Sequence, residues 1–217
     1  VNSLTVKLCY IHGAIIGHNL KSRAEYNFIL YNRIMDEKEG TSSFAVDLPN
    51  GGQSFIIGNS IQQGPQTDNY HILSYGAEGL KNTKNEIYII NNTFVNNRHD
   101  GVYLRIAKGA KVAHVVNNIF YGNGKLLKGN AYLSSNLSFT KRNSLFSREG
   151  ESGFVDEENY DYRLTARSKA IDKGIEPGAV DNFQLKAGLH YIHPRIGQKR
   201  MKIKNVDIGA YEFMDIQ

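Results

Sequence analysis

The sequence predicts an all-β chain: a right-handed parallel β-helix, or solenoid, closed by a C-terminal capping segment. Three observations predict it. Six stretches share one pattern, in which an apolar residue is followed three positions later by a small or polar residue, usually Asn, and two positions after that by another apolar residue. A second apolar strand follows within each period. The periodicity then fades after about Phe146. The copies centre on Cys9, Asn32, Asn59, Asn92, Asn118 and Asn143, so the spacings are 23, 27, 33, 26 and 25 residues. A period of that size, filled with strands and turns, marks a stacked array.

Each element has a physical reason. In Ile29-Leu30-Tyr31-Asn32-Arg33-Ile34 the flanking Ile residues share an inward face, because alternate strand residues do. The same holds for Ile56 and Ile61, Ile89 and Phe94, and Val115 and Phe120. The Asn at the bend satisfies its amide against turn backbone, tolerates left-handed backbone angles, and can bond from coil to coil. One coil cannot bury its apolar face, but six stacked coils can. Second strands are expected over 14–22, 43–48, 69–75, 101–106 and 130–135. The segments 37–41, 62–68 and 77–85 are polar and Gly-containing and read as loops bulging from the stack. A meander of antiparallel hairpins competes with this reading, but hairpins need tight turns between adjacent strands. Asn50-Gly51 and Asp100-Gly101 suit coil corners equally well. Residues 1–146 thus form the β-helix, with earlier coils expected to be missing, and residues 147–217 form the cap. An uncovered first coil would leave a raw sheet edge.

Composition narrows the function classes. No run of eighteen apolar residues is present, so no membrane span is expected. The chain lacks a charged-then-apolar leader, so a signal peptide is absent or was removed. Cys9, the single cysteine, excludes an internal disulfide and reads as a buried, inert thiol. The net charge of +5 favours an acidic partner. No dense basic stripe with interleaved aromatics appears, so nucleic acid is not the expected partner. Tyr residues, 13 in all, can stack on sugar rings, though β-propensity alone also accounts for them. Oligomeric state is not readable here.

The tail contains Asp161-Tyr162-Arg163-Leu164, Ser168-Lys169-Ala170-Ile171-Asp172-Lys173-Gly174 and Asp207-Ile208-Gly209-Ala210-Tyr211-Glu212. These three segments resemble the C-terminal piece of many exported bacterial β-helix proteins of the pectate lyase-like superfamily. The resemblance implies an extracellular or periplasmic location and a tail that seals the last coil. Asp161, Arg163, Asp172 and Asp207 are expected to form ion pairs there.

The densest polar cluster is Gly17-His18-Asn19-Leu20-Lys21-Ser22-Arg23-Ala24. A wet coil corner explains it as well as a site does. Lys21-Ser22, then Asn27 and Tyr31-Asn32, resemble a stretch of the chondroitinase B and alginate lyase family, itself a right-handed β-helix. The resemblance implies a lyase in which Lys21 takes the proton beside a uronate carboxylate, with Ca²⁺ commonly neutralising that carboxylate. A Lys serves as base when nearby positive charge or desolvation lowers its pKa, and His18 and Arg23 are placed to supply the charge. The family's assisting Arg, in an Arg-His-Gly context, has no counterpart. Asp47 stands near its place, where it can pair with Lys21 or Arg23 or bind a sugar hydroxyl.

Lys21 lies 11 residues before Asn32, Asp47 12 before Asn59, Arg105 13 before Asn118 and Glu78 14 before Asn92. Such offsets align them along one side of the stack, as a substrate groove or as a solvated face. Lys21, Arg23 and His18 are therefore the expected catalytic residues, and Asp47, Tyr75, Glu78 and Arg105 the substrate-binding ones. No metal spacing is clean: Asp47, Glu78 and Asp100 are dispersed, so Ca²⁺ rests on the resemblance alone. The expected function is an exported protein acting on an acidic, uronate-containing polysaccharide by β-elimination. The competing expectation is a non-catalytic carbohydrate-binding or adhesive β-helix.

Overall fold

The computed structural model describes residues 1–140 and 152–214. Among these every regular element is a strand. The first coil holds β1 (Ser3–Lys7), β2 (Tyr10–His12) and β3 (His18–Lys21). The second holds β4 (Tyr26–Leu30), β5 (Arg33–Met35) and β6 (Phe44–Leu48). The third holds β7 (Gln53–Ile57), β8 (Ser60–Gln63) and β9 (His71–Tyr75). Next come β10 (Glu86–Ile90), β11 (Thr93–Asn96) and β12 (Val102–Ile106), then β13 (Val112–Val116), β14 (Ile119–Gly122) and β15 (Lys125–Lys128). The last coil holds β16 (Tyr132–Ser134) and β17 (Leu137–Phe139). Successive coils pair in parallel and build three sheets. The first is β1-β4-β7-β10-β13-β16, the second β2-β5-β8-β11-β14-β17, and the third β3-β6-β9-β12-β15. This is the arrangement of a parallel β-helix solenoid. Parallel pairing throughout the stack excludes the hairpin meander.

The register follows the repeat. Val6, Ile29, Ile56, Ile89, Val115 and Leu133 form one row of the first sheet. Its central members sit in the main core with Ile34, Ile61, Phe94 and Phe120 from the second sheet. Burying one such side chain is worth about 1.5–3 kcal/mol. At the bend between the two sheets runs a ladder of Asn32, Asn59, Asn92, Asn118 and Asn136. Each Oδ1 accepts the backbone N–H of the ladder residue one coil earlier, from Cys9 N–H on Asn32 (2.9 Å) to Asn118 N–H on Asn136 (2.8 Å). Each Nδ2 donates to the carbonyl of Val6, Ile29, Ile56, Ile89 or Val115 in turn.

Three details of the repeat differ from expectation. The rung after Asn118 is Asn136, not Asn143, which lies outside the described residues. The Asn136 rung escapes the pattern because its second apolar place is Ser138, paired with Phe120. The segment expected as a second strand over 130–135 therefore contains β16 of the first sheet, and β15 is the third-sheet strand. Finally, the left-handed residue is the one before each rung: Leu8, Tyr31, Gly58, Asn91, Asn117 and Ser135 all have φ between 47° and 68°.

The tail carries three antiparallel ribbons: β18 (Phe154–Asp156) with β19 (Asp161–Leu164), β20 (Ala179–Val180) with β21 (Phe183–Gln184), and β22 (Leu189–Ile192) with β23 (Ile196–Lys199). Its apolar residues cover the flank of the stack. Phe154, Tyr162, Leu164, Ile208 and Tyr211 pack on Met35, Val95, Ile119 and Tyr121 of the second sheet. Phe183, Leu185 and Ala187 pack on Phe55, Ile57, Tyr88 and Ile90 of the first. Neither cluster includes a third-sheet residue. The three tail motifs have structural reasons. Tyr162 and Leu164 point inward while Arg163 pairs with Asp161 at 2.5 Å. Among the described residues Asp172 and Asp207 have no ion-pair partner: Asp207 Oδ1 and Oδ2 accept the N–H groups of Asp172 and Phe213. Buried Arg200 pairs instead with Glu212 (2.5 Å). Gly209 has φ +95°, and a Cβ there would stand 2.6 Å from Ile119 Cδ1.

Two substitutions test these supports. Asn92→Leu strips the partner from Asn59 N–H and from Ile56 C=O inside the core; the loss should be about 3 kcal/mol or more by denaturant unfolding. Gly209→Ala should cost about 1–3 kcal/mol through left-handed strain and the Ile119 clash, read in the same assay.

Candidate functional site

The third sheet presents its outer face as two rows, since Leu20, Val46, Leu73 and Leu104 turn into the core. Register pairs Lys21 with Asp47, Asp47 with Ser74, Ser74 with Arg105, and Arg105 with Lys128. The other row runs His18, Phe44, His71, Val102 and Lys125. His18 pairs with Phe44, the Phe44 and His71 rings lie 6.2 Å apart, and Val102 pairs with both His71 and Lys125. Parallel strands stand about 4.8 Å apart, so each row offers one side chain per such step.

At the end of this face formed by the first three coils the sequence-predicted residues converge. Lys21 Nζ lies 3.1 Å from Asp47 Oδ2, 3.2 Å from Glu78 Oε1 and 3.3 Å from His18 Nε2. His18 Nε2 is 3.5 Å from Asp47 Oδ2. Arg23 Nη2 donates to both Glu78 oxygens, at 2.7 Å each. Asp47 is 2% exposed and forms the floor; Glu78 is 41% exposed and forms the lip. Ser22 and Asn27 brace the corner behind them. Ser22 Oγ donates to Asn27 Oδ1 (2.6 Å), and Asn27 Nδ2 reaches Ser54 Oγ on the next coil (3.1 Å).

Two of the expected residues stand elsewhere. Glu78 is not in the row; Ser74, 18 residues before Asn92 rather than 14, holds that coil's row position. Glu78 reaches the cluster from the 77–85 loop, which folds back over the second coil. There Glu25 accepts Thr83 N–H, Lys84 N–H and the Thr83 hydroxyl, and Asn82 Nδ2 donates to Ala24 C=O. Tyr75 is a correction: it is 0% exposed, packs in the main core and donates its hydroxyl to Gly52 C=O (2.7 Å), so it cannot stack on a sugar. Arg105 holds its row position and bonds Ser74 Oγ at 3.4 Å. With Lys125 and Lys128 it makes a cationic end of the face, and among the described residues none of the three has an ion-pair partner. Sequence reasoning missed Lys125 and Lys128; the register with Val102 and Arg105 is the signal that finds them.

Electrostatics assigns the protons. Burial pushes the His18 pKa below its usual 6.5, and Lys21 and Arg23 push the same way against Asp47 and Glu78; His18 is neutral near pH 7. Burial opposes the Lys21 charge, but hydrogen bonds and attraction from Asp47 and Glu78 outweigh it, so the Lys21 pKa is raised. The hydrogen bonds from Arg23 and then Lys21 hold Glu78 down at about 2. The contribution of Glu78 to stability is thus present above its ordinary 4.5 and fades as pH falls through about 2. Lys21 is thus held as a cation between Asp47 and Glu78, while the His18 pKa is lowered. The donor set does not suit Ca²⁺. The ammonium of Lys21 already bridges the two carboxylates, and among the described residues no three His, Cys, Asp or Glu side chains are placed to hold a metal ion.

A concavity of about 570 Å³ lies at another corner beside His12, Asp36, Glu37 and Tyr160. Two of its carboxylates are already engaged: Asp36 accepts from Asn19 and Gly64, and Glu37 from the Tyr10 hydroxyl. The His18–Lys21–Asp47 cluster is the better candidate. No helix is long and apolar enough to cross a membrane. No family model, curated protein or solved structure matches the chain.

Asp47→Arg would set a third cation beside Lys21 and Arg23 on a buried floor. A loss of about 3 kcal/mol is expected in denaturant unfolding, with Asp47→Asn losing less. Full stability of Asp47→Arg would show that Asp47 does not hold the corner.

Proposed function

We propose that this chain is an exported right-handed β-helix protein of the pectate lyase-like kind, acting on an acidic, uronate-containing polysaccharide by β-elimination. The carrying observation is the convergence of His18, Lys21, Arg23, Asp47 and Glu78 on the third-sheet face, which the tail's apolar clusters leave uncovered. A polymer laid along the stack meets a cationic side chain at Lys21 and again at Arg105 and Lys128. The proton beside a carboxylate is weakly acidic, and its removal places a second negative charge on that group. The reaction therefore needs cations at the carboxylate and a base beside them. Lys21 and Arg23 supply the cations. Neutral His18, touching Lys21, takes the proton; the electron pair forms the new carbon–carbon double bond, and the glycosidic C–O bond breaks, its oxygen taking a proton from water. Asp47 holds Lys21 and His18 in place.

A second reading is a binding module without catalysis. The engagement of Lys21 by two carboxylates favours it, since a cation already neutralised stabilises the developing dianion of β-elimination weakly.

Alginate, pectate and glycosaminoglycans, offered at low salt, separate the readings. A lyase releases unsaturated uronates that absorb in the ultraviolet; a hydrolase gives reducing ends without that absorbance; a module gives neither. Lys21→Ala should cut turnover by at least about 100-fold and, because it leaves buried Asp47 without its cation, should also lower the thermal midpoint. The pH profile then names the base. With His18, the rate reaches its plateau by neutrality, since its pKa lies below 6.5. A rate still climbing at pH 10 would return that role to Lys21.

A further inference from the structure

We propose that Lys21 and Arg23 form a carboxylate seat, that the side chain of Glu78 fills it in this structure, and that a uronate carboxylate enters by displacing Glu78. The inference rests on the polysaccharide reading above for its ligand class, but not for its geometry.

Glu78 sits as a bound carboxylate would. Both its oxygens lie 2.7 Å from Arg23 Nη2, and Oε1 is also 3.2 Å from Lys21 Nζ. Charge-assisted contacts of this kind are the ordinary protein recognition of a carboxylate. Asp47 plays a different part: it is buried and touches Lys21 from below, so it stays when Glu78 leaves. The ligand side is open, because Glu78 and Arg23 are half-exposed.

The fold does not require Glu78 to be there. It lies outside the strands, and its loop is moored independently. Its own N–H donates to Pro49 C=O, Gly79 N–H to Gly76 C=O, Asn82 N–H to Asn50 C=O, and Glu25 grips Thr83 and Lys84. The side chain can swing out while the loop backbone keeps every one of these bonds. Charge also balances. With Glu78 in place, two cations face two carboxylates beside a neutral His18. With Glu78 out, one positive charge is left over, which one uronate neutralises. The exchange replaces one carboxylate with another and leaves no buried charge unpaired. The seat is adjacent to His18, through Lys21, so a seated uronate presents its neighbouring C–H close to the proton acceptor.

The test uses free glucuronate as probe, titrated by calorimetry at low salt into the wild-type chain, Glu78→Gln and Glu78→Ala. Both variants should bind glucuronate at least about fivefold more tightly, because the internal competitor is gone. Adding Arg23→Gln to Glu78→Gln should erase the gain. Wild-type affinity should not improve between pH 7 and pH 5, where Glu78 remains ionised. Unchanged, weaker or absent glucuronate binding in both variants, with thermal midpoints near the wild type, would overturn the seat. The polymer arm separates the two claims. If the variants gain glucuronate affinity but no form binds or cleaves an acidic polysaccharide, the seat stands and the polysaccharide reading falls. If polymer is bound or cleaved but the variants gain nothing, the reading stands and the seat falls.

Discussion

The asparagine ladder is the constraint on which the rest depends. A buried primary amide has two donors and an acceptor with two lone pairs, and the interior leaves none of them cheap to abandon. In the stack each amide is satisfied by its neighbours: Asn59 Oδ1 takes the N–H and Nδ2 of Asn32, while Asn59 Nδ2 reaches Ile29 C=O and Asn92 Oδ1. Slipping one coil by one residue would break two rungs at once. It would also turn Ile29 or Ile56 outward, since side chains alternate along a strand. The ladder therefore fixes register between the first two sheets, and the short connections carry that register into the third.

Register then decides what the outer faces show. On the first sheet the outward row is aromatic, with Phe28, Phe55 and Tyr88 stacked 5.2–5.3 Å apart. On the second it includes Met35, Val95 and Tyr121, with Ile119 in the neighbouring row. Both would be exposed apolar strips without the tail. The tail lies on them and is tied by polar contacts, including Arg33 to Tyr160 C=O and Asn91 to Asp207 C=O. The third sheet has no such strip. Its outer rows mix charge and imidazole with Phe44 and Val102, and the ends of Lys21, Arg23 and Glu78 are the part left to water.

That face is uneven along its length. In the first three coils cations and carboxylates neutralise one another around Lys21; in the last two, Arg105, Lys125 and Lys128 stand together, without acidic partners among the described residues. His71 lies between the two regions, its pKa driven down to about 4 by burial and then by Lys128 and Arg105. The field along the face thus rises from balanced to positive. An extended anion would be held at the cationic end and probed at the balanced one, where His18 and Lys21 sit.

How much of this was legible in the sequence follows from the range of each interaction. The coils were legible because the inward residues and the ladder recur at nearly fixed offsets: three residues separate Ile29 from Asn32 and two more reach Ile34, and each copy repeats this locally. The convergence of Lys21 with Asp47 was legible for the same reason, since both stand at similar offsets from the next rung. The Asn136 rung was not, because Ser138 breaks the local pattern and only pairing with Phe120 places it. Tyr75 was misread because a Tyr between polar residues looks exposed, whereas the third-sheet bend turns it into the core. Glu78 was chosen for an offset that proved incidental; a loop folding back over the second coil brings it to Arg23. The sequence by itself determined the stack, because its periodicity is a property of neighbours along the chain. Only the tertiary structure decided the protonation of His18 and Lys21 and the partner of Glu78, because burial and charge at one point depend on groups that the chain holds 26 and 57 residues apart.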